Sequence, residues 1–316
     1  GSGGLVLAGH TDTVPFDARR WQHDPFRLTE ENGRLYGLGT CDMKAFLALA
    51  IEAAREVPES ALKAPLILLA TADEESTMAG AKALVEAGRP RARCALIGEP
   101  TGLRPVRRHK GIFMEAIEIL GRAGHSSDPR LGRSALEGMH RVIGALLHWR
   151  ETTQRLYRDE GFDVPVLTLN LGRIEGGDNP NRICARCELH LDCRPLPGMA
   201  IERVRAEIHA TTRRALEGSG LELRFRPLFE GAPSMDTPAE AELVRTAEAL
   251  TGHAAESVAY ATEAPFLQAL GMETVVLGPG DIAQAHQPDE FLRIDRIEPM
   301  LDILRALIRK YCIDIE

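Results

Sequence analysis

Four short apolar runs, each leading to acids or a histidine, constrain the fold of this chain more than any other feature. LVLAGHTD ends in His10 and Asp12, LILLATADEE in Glu74 and Glu75, and CALIGEP in Glu99, while TVVLGPGDIAQAH leads through Gly278 and Gly280 to His286. Short apolar runs separated by helix-like segments are what strands buried on both faces of a parallel sheet look like. The segments between agree: MKAFLALAIEAAREV and MAGAKALVEAG carry apolar residues at helical spacing, and Gly88 ends the second. The pattern predicts an α/β fold, a mainly parallel sheet with helices on both faces. In such a sheet the ligand crevice lies outside the carboxyl ends of the strands. The four polar tips therefore converge although they are far apart in sequence.

Asp73, Glu74 and Glu75 are consecutive acids, and their mutual repulsion is offset by a bound cation or a shared proton. Asp42 follows the glycine turn of YGLGTCDMK at the start of a helical pattern. An aspartate there is suited to capping the helix; beside His10, Glu75, Glu99 and His286 it reads as a metal ligand. Imidazoles mixed with carboxylates suit zinc or a similar divalent ion, and this set exceeds what one tetrahedral ion takes. Two ions sharing a bridging carboxylate would use them all. Consecutive residues at a strand end point in different directions, so one of Glu74 and Glu75 can bind metal while the other handles a proton.

From about residue 110 to 229 the pattern changes. IFMEAIEILG, LTLNLGRIEGG and CELHLDCR alternate as half-exposed strands, and ALEGMHRVIGALLHWRETTQRLY and IERVRAEIHATTRRALEG read as helices. This predicts a smaller α+β domain with an antiparallel sheet, interrupting a larger one that spans 1–109 and 230–316. His23, His140, His148, His190, His209 and His253 read as surface histidines. Six cysteines are too sparse for a disulfide scaffold; Cys184 and Cys187 fall in a strand pattern and read as packing residues, and the usage fits a reducing cytoplasm. A net charge of −8 without a basic run disfavours nucleic acid as a partner. No apolar stretch approaches the ~20 residues of a membrane-spanning helix. GSGGLVLAGH enters its strand pattern without a signal-peptide pattern. The glycine turn lacks a dinucleotide fingerprint, and neither a G-x-S-x-G elbow nor an H-E-x-x-H helix is present.

Taken together, GHTDTVP, GLGTCDMK, TADEES, IGEPT, GRAGHSSDP, NRICARCELHLDCRPLPG and AQAHQPDE resemble, in order, the motifs of the acetylornithine deacetylase and succinyl-diaminopimelate desuccinylase family of dizinc amidohydrolases and peptidases. The resemblance covers the chain from residue 9 to about 290. It implies two Zn2+ per subunit, with Co2+ able to substitute, and Asp42 bridging them. His10 and Glu99 would complete one ion's ligands and Glu75 and His286 the other's. Glu74 would be the general base, and Asp12 would orient the His10 imidazole. The smaller domain would be a lid that pairs two subunits into a homodimer. Its His125 would polarise the scissile carbonyl from the partner subunit, and Asn181 and Arg194 would hold the substrate's α-carboxylate. The resemblance also implies a leading helix and strand ahead of the first ligand strand. The implied reaction is hydrolysis of the N2-acetyl amide of acetylornithine to ornithine and acetate, a step of arginine biosynthesis. Glu263, on an expected turn in ATEAPF, is a candidate for meeting the δ-ammonium. Acetylcitrulline and succinyl-diaminopimelate are alternative substrates. A non-catalytic metal-binding dimerisation module is the alternative of another class, and the presence of every ligand together with the base counts against it.

Overall fold

The computed structural model of the protein describes residues 3–315. The chain begins with β1 (Leu5–His10), β2 (Thr29–Glu31), β3 (Arg34–Tyr36), α1 (Lys44–Arg55), β4 (Leu66–Thr71), α2 (Ala79–Ala87), β5 (Cys94–Ile97) and β6 (Val106–His109). There follow β7 (Ile112–Leu120), α3 (Ala135–Leu156), β8 (Thr168–Gly176), β9 (Arg186–Arg194), α4 (Ile201–Ala215) and β10 (Glu222–Ala232). The last stretch holds β11 (Met235–Asp236), α5 (Glu242–Thr251), β12 (Glu256–Val258), α6 (Ala264–Ala269), β13 (Glu273–Val276), β14 (Phe291–Arg293) and α7 (Ile297–Ile308). Two compact units result. One comprises the chain up to His109, Met235–Ser257 and Thr262 onward; the other comprises Lys110–Ser234 and Val258–Ala261.

The first unit is built on a sheet ordered β11-β6-β13-β5-β1-β4, with β12 also pairing β6. The pairs β1/β4, β1/β5 and β13/β5 are parallel, and β6 joins antiparallel to β13. Leu5 and Leu7 of β1 pack with Phe46 and Ala50 of α1 and with α5 and α7. Val6 and Ala8, which alternate with them along the strand, are equally buried, so both faces of the strand are covered. LILLAT departs from the expectation of a strand buried on both faces. As β4 it is the last strand of the sheet, and Leu68 is 41% exposed. A continuous apolar run does not distinguish an edge strand from a central one.

The tips of the strands are packed tightly. A Cβ added at Gly98 would lie 1.9 Å from the Phe46 ring, and one at Gly278 would lie 2.2 Å from the carbonyl oxygen of Gly98. Glycine at 98 lets α1 settle against the end of β5. Gly98→Ala is expected to lower stability by about 1–3 kcal/mol or more through overpacking, read as a fall in the denaturant midpoint; an unchanged midpoint would show that Phe46 has room to move.

The second unit is a four-stranded antiparallel sheet ordered β10-β7-β9-β8. α3 and α4 pack against it, burying Phe113, Ile117, Leu189 and Leu191 with Met139, Val142 and Ile208. Ser134 starts α3 by accepting the Glu137 N–H, half of the reciprocal cap that S-x-x-E favours. β9 alternates buried and half-buried residues; Cys187 lies in the core, with Cys184 packed against it. β10 runs on to Ala232, past the expected boundary at 229. Among the described residues no helix is long and apolar enough to cross a membrane.

Candidate metal centre

The register of the large sheet explains why distant acids meet. His10 pairs with Thr71, and Ala8 pairs with Ile97, which in turn pairs with Val276. The residues just beyond these positions are therefore neighbours across the sheet: His10, the 72–78 turn, Glu99 and the loop that leads to His286.

Asp42 stands between the two imidazoles. Its Oδ1 lies 3.1 Å from His10 Nε2, and its Oδ2 lies 3.4 Å from His286 Nε2. It does not cap α1: the capping position is Met43, which makes no side-chain bond. His286 Nε2 is also 3.1 Å from Glu75 Oε1, and His10 Nε2 is 3.9 Å from Glu99 Oε1. Donor atoms of His10, Glu74 and Glu99 lie within 4.8 Å of one another, as do those of His10, Asp42 and Glu75. Ligands around one tetrahedral zinc with ordinary bond lengths sit about 3.3 Å apart, so these spacings fit cation binding. The carboxylates outnumber the imidazoles, a surplus that divalent cations balance.

Asp12 organises the turn rather than only the imidazole. His10 Nδ1 is 3.0 Å from the Asp12 backbone carbonyl and 3.6 Å from its carboxylate. The carboxylate oxygens accept the amide N–H groups of Glu74 and Glu75 at 3.3 and 3.1 Å. Asp73 takes a left-handed backbone, φ 63°, and its carbonyl accepts the amides of Thr77 and Met78. The turn thus presents both glutamates to the centre.

Crowding of charge shows in the acidities. Burial pushes the Glu74 carboxyl up to about 8, helped by Glu263, Glu75 and Asp42 and opposed by His10. Burial, then the Asp42 and Glu74 charges, hold the Glu99 carboxyl far above the carboxylate range. Burial alone would lower His10, but the bond to Asp42 and the surrounding acids raise it to about 9. Bonds to Asp42 and Glu75 raise His286 to about 10. Asp42 is driven down despite its burial by bonds to both imidazoles.

Without metal, Glu74, Glu99, His10 and His286 each bind more protons folded than unfolded. The imidazole contributions are complete below pH 6.5 and are lost through about 9 and about 10, and that of Glu74 is lost between 4.5 and about 8. Stability of the metal-free chain is therefore expected to fall as pH rises from 6 to 10. Cation uptake displaces these protons, so the metal-induced rise in Tm should grow over the same range. Thermal melts with EDTA and with Zn2+ check both signs; a metal-free Tm that climbs with pH would contradict them.

Glu263 sits at a bend just ahead of a helix and is buried. It opens α6, is 3% exposed, and its Oε2 accepts the Thr71 hydroxyl at 2.6 Å. Its Oε1 is buried with no hydrogen-bond partner, and burial raises its carboxyl to about 6 against the Thr71 bond. Glu290 went unnoticed in the sequence. It is buried, and its carboxylate accepts three backbone N–H groups of the Asp42 loop. The signal was an acid four residues past His286. His23, His190 and His209 are not plain surface histidines: they pair with Glu31 and Asp289, with Glu188, and with buried Glu115 respectively.

In the second unit His125 is exposed, and its Nδ1 receives the backbone N–H of Ser127 at 3.2 Å. A neutral ring held this way carries its proton on Nε2. Asn181 lies beside it, for its carbonyl accepts the Ser126 N–H and Arg182 bridges to His125. Arg194, paired with Asp192 at 3.1 Å, is elsewhere. Asn181 lies five residues before the start of β9 and Arg194 ends it, and the nine extended residues of the strand alone span roughly 27 Å.

The carboxyl ends of a parallel-centred sheet gather two imidazoles and several acids into a cluster suited to divalent cations, and comparison with known proteins gives the class, a metal-dependent hydrolase. A sequence profile of Peptidase family M20/M25/M40 matches residues 6–310, and the chain belongs to that family. Acetylornithine deacetylase of Edwardsiella ictaluri (strain 93-146) is 52% identical over 313 residues, 99% of this chain and 81% of that protein. Among solved structures, aminopeptidase PepT from Bacillus cereus ATCC 10987 matches with a TM-score of 0.76 at 21% identity, covering 98% of this chain and 80% of that one. The M20 family metallo-carboxypeptidase Sso-CP2 from Sulfolobus solfataricus also gives 0.76, at 19% identity over 98% and 85%. These two share the fold.

Proposed function

We propose that this enzyme hydrolyses the N2-acetyl amide of acetylornithine to ornithine and acetate, in arginine biosynthesis in the cytoplasm. The observation that carries the hydrolytic reading is Asp42, whose two oxygens face two different imidazoles. Similarity to an acetylornithine deacetylase over 99% of the chain supports the substrate. Two cations, Zn2+ or Co2+, would be held by Asp42 shared between them, with His10 and Glu99 on one and Glu75 and His286 on the other. When bound, such cations make hydroxide available from water near neutral pH and polarise the acyl carbonyl.

Glu74 takes the proton of the attacking water as its oxygen bonds to the acetyl carbon, then delivers that proton to the amine as the C–N bond breaks. The Nε2–H tautomer of His125 supplies a donor to the oxyanion, whose charge is greatest in the transition state. The forked donors of Arg194 suit a carboxylate, and Asn181 adds an amide donor. Because Asn181 lies ahead of β9 and Arg194 at its far end, one subunit is poorly placed to bring both to one substrate. A homodimer, with the partner supplying His125 and Asn181, resolves this. Glu263 adds a buried negative charge close enough to raise Glu74, which favours the cationic ornithine side chain over neutral citrulline.

Release of acetate from acetylornithine and acetylcitrulline, and of succinate from succinyl-diaminopimelate, tests the substrate: acetylornithine should be cleaved with the highest kcat/KM. Higher kcat/KM on either of the others would replace it. Mixed dimers of Glu74→Gln and His125→Ala chains should recover part of the activity that each variant lacks alone. No recovery would place His125 in its own subunit's site or outside the mechanism.

A further inference from the structure

A second carboxylate holds the backbone of the turn that carries Asp42. Glu290 is 3% exposed. Its Oε1 accepts the backbone N–H groups of Cys41 at 2.7 Å and Asp42 at 2.8 Å, and its Oε2 accepts that of Gly39 at 2.9 Å. Its own carbonyl accepts the Gly37 N–H at 3.1 Å. One carboxylate thus gathers the turn that carries Asp42, and it lies four residues beyond His286. The preceding residue does the same to another loop: Asp289 Oδ1 accepts the amides of Gln22 and His23, both at 2.9 Å, and faces His23 Nδ1 at 3.0 Å. The His23 ring is in turn stacked on Tyr36 at 4.0 Å.

We infer that Glu290 is a positioning residue that ties the Asp42 turn to the His286 loop, fixing the bridging carboxylate relative to the more exposed imidazole before any cation arrives. The inference rests on the reading of Asp42 as a bridge between two cations. Three donors converge on Glu290, so an ionised carboxylate, which only accepts, satisfies all of them. Charge-assisted bonds to backbone N–H groups are also stronger and shorter than neutral ones. In Glu290→Gln one oxygen remains and an NH2 group is turned toward an N–H, so at least one buried donor loses its acceptor. Residues that orient metal ligands without touching the metal change affinity in proportion to how much they preorganise it.

The test is titration of Co2+ into the full metal-free chain, followed by calorimetry and visible absorption, with the metal-free Tm measured alongside. Unaltered protein should take up two Co2+. Glu290→Gln should bind them about 10- to 100-fold more weakly, with an altered Co2+ spectrum. Glu290→Asp, which keeps the charge but shortens the reach, should also bind more weakly, and it decides the matter where the glutamine variant does not fold. Unchanged affinities and spectrum in a folded variant, even with a lowered Tm, would assign Glu290 to stability alone and overturn the inference. Unaltered protein that takes up no Co2+ would overturn the bridged-cation reading and this inference with it.

Discussion

Glu74→Gln is expected to reduce kcat on acetylornithine by roughly 10²- to 10⁴-fold, the range associated with a positioned general acid–base. Metal content should be unchanged. The turn that presents the residue is held through its backbone, by the Asp12 carboxylate accepting the amides of Glu74 and Glu75, and the glutamine retains those amides. The nearest imidazole contacts at Asp42 and Glu75 also survive. The variant removes proton transfer while leaving the ligand set in place, so kcat should fall with little change in KM. Turnover within a few-fold of the unaltered enzyme, measured by acetate release with metal content determined on the same sample, would remove Glu74 from the mechanism.

The second large effect is expected from Asp42→Asn. The carboxylate faces His10 with one oxygen and His286 with the other. Replacing an oxygen by an NH2 group leaves a donor where a ligand should be. Loss of a bridge weakens both cations together, so dialysed protein should retain at most one ion per chain, and activity should fall at least as far as in Glu74→Gln. The two variants differ in a useful way: one loses chemistry with metal retained, the other loses metal and chemistry together. Retention of two tightly bound ions by Asp42→Asn would show that the two sites do not share this ligand.

The apolar runs and their polar tips were legible because strand burial and strand ends leave marks within a few residues. Gly98 and Gly278 fell where the apolar runs gave way to polar residues, and the structure shows backbone and Phe46 filling the space a side chain would need. The exposure of β4 was hidden, since its apolar composition is the same at an edge as in the middle of a sheet. The division of labour between Glu74 and Glu75 was open in the residue pattern itself and needed the family resemblance. Taken alone, the spacing of Asp42 favoured a cap; the structure gives the capping position to Met43 and turns Asp42 toward two imidazoles. The burial of Glu263 and Glu290 and the identity of their partners leave no mark in the residues around them, even where position pointed to the acid itself. The separation of Asn181 from Arg194 depends on the length of β9 and on which end each residue occupies, a matter of strand register that is set by the fold.

The central claim is a pair of cations sharing Asp42, and anomalous X-ray diffraction from crystals grown with Zn2+ tests it most directly. The account predicts two anomalous peaks per chain, with the Asp42 carboxylate between them, one beside His10 and Glu99 and the other beside Glu75 and His286. A single peak, or peaks distant from Asp42, would contradict it.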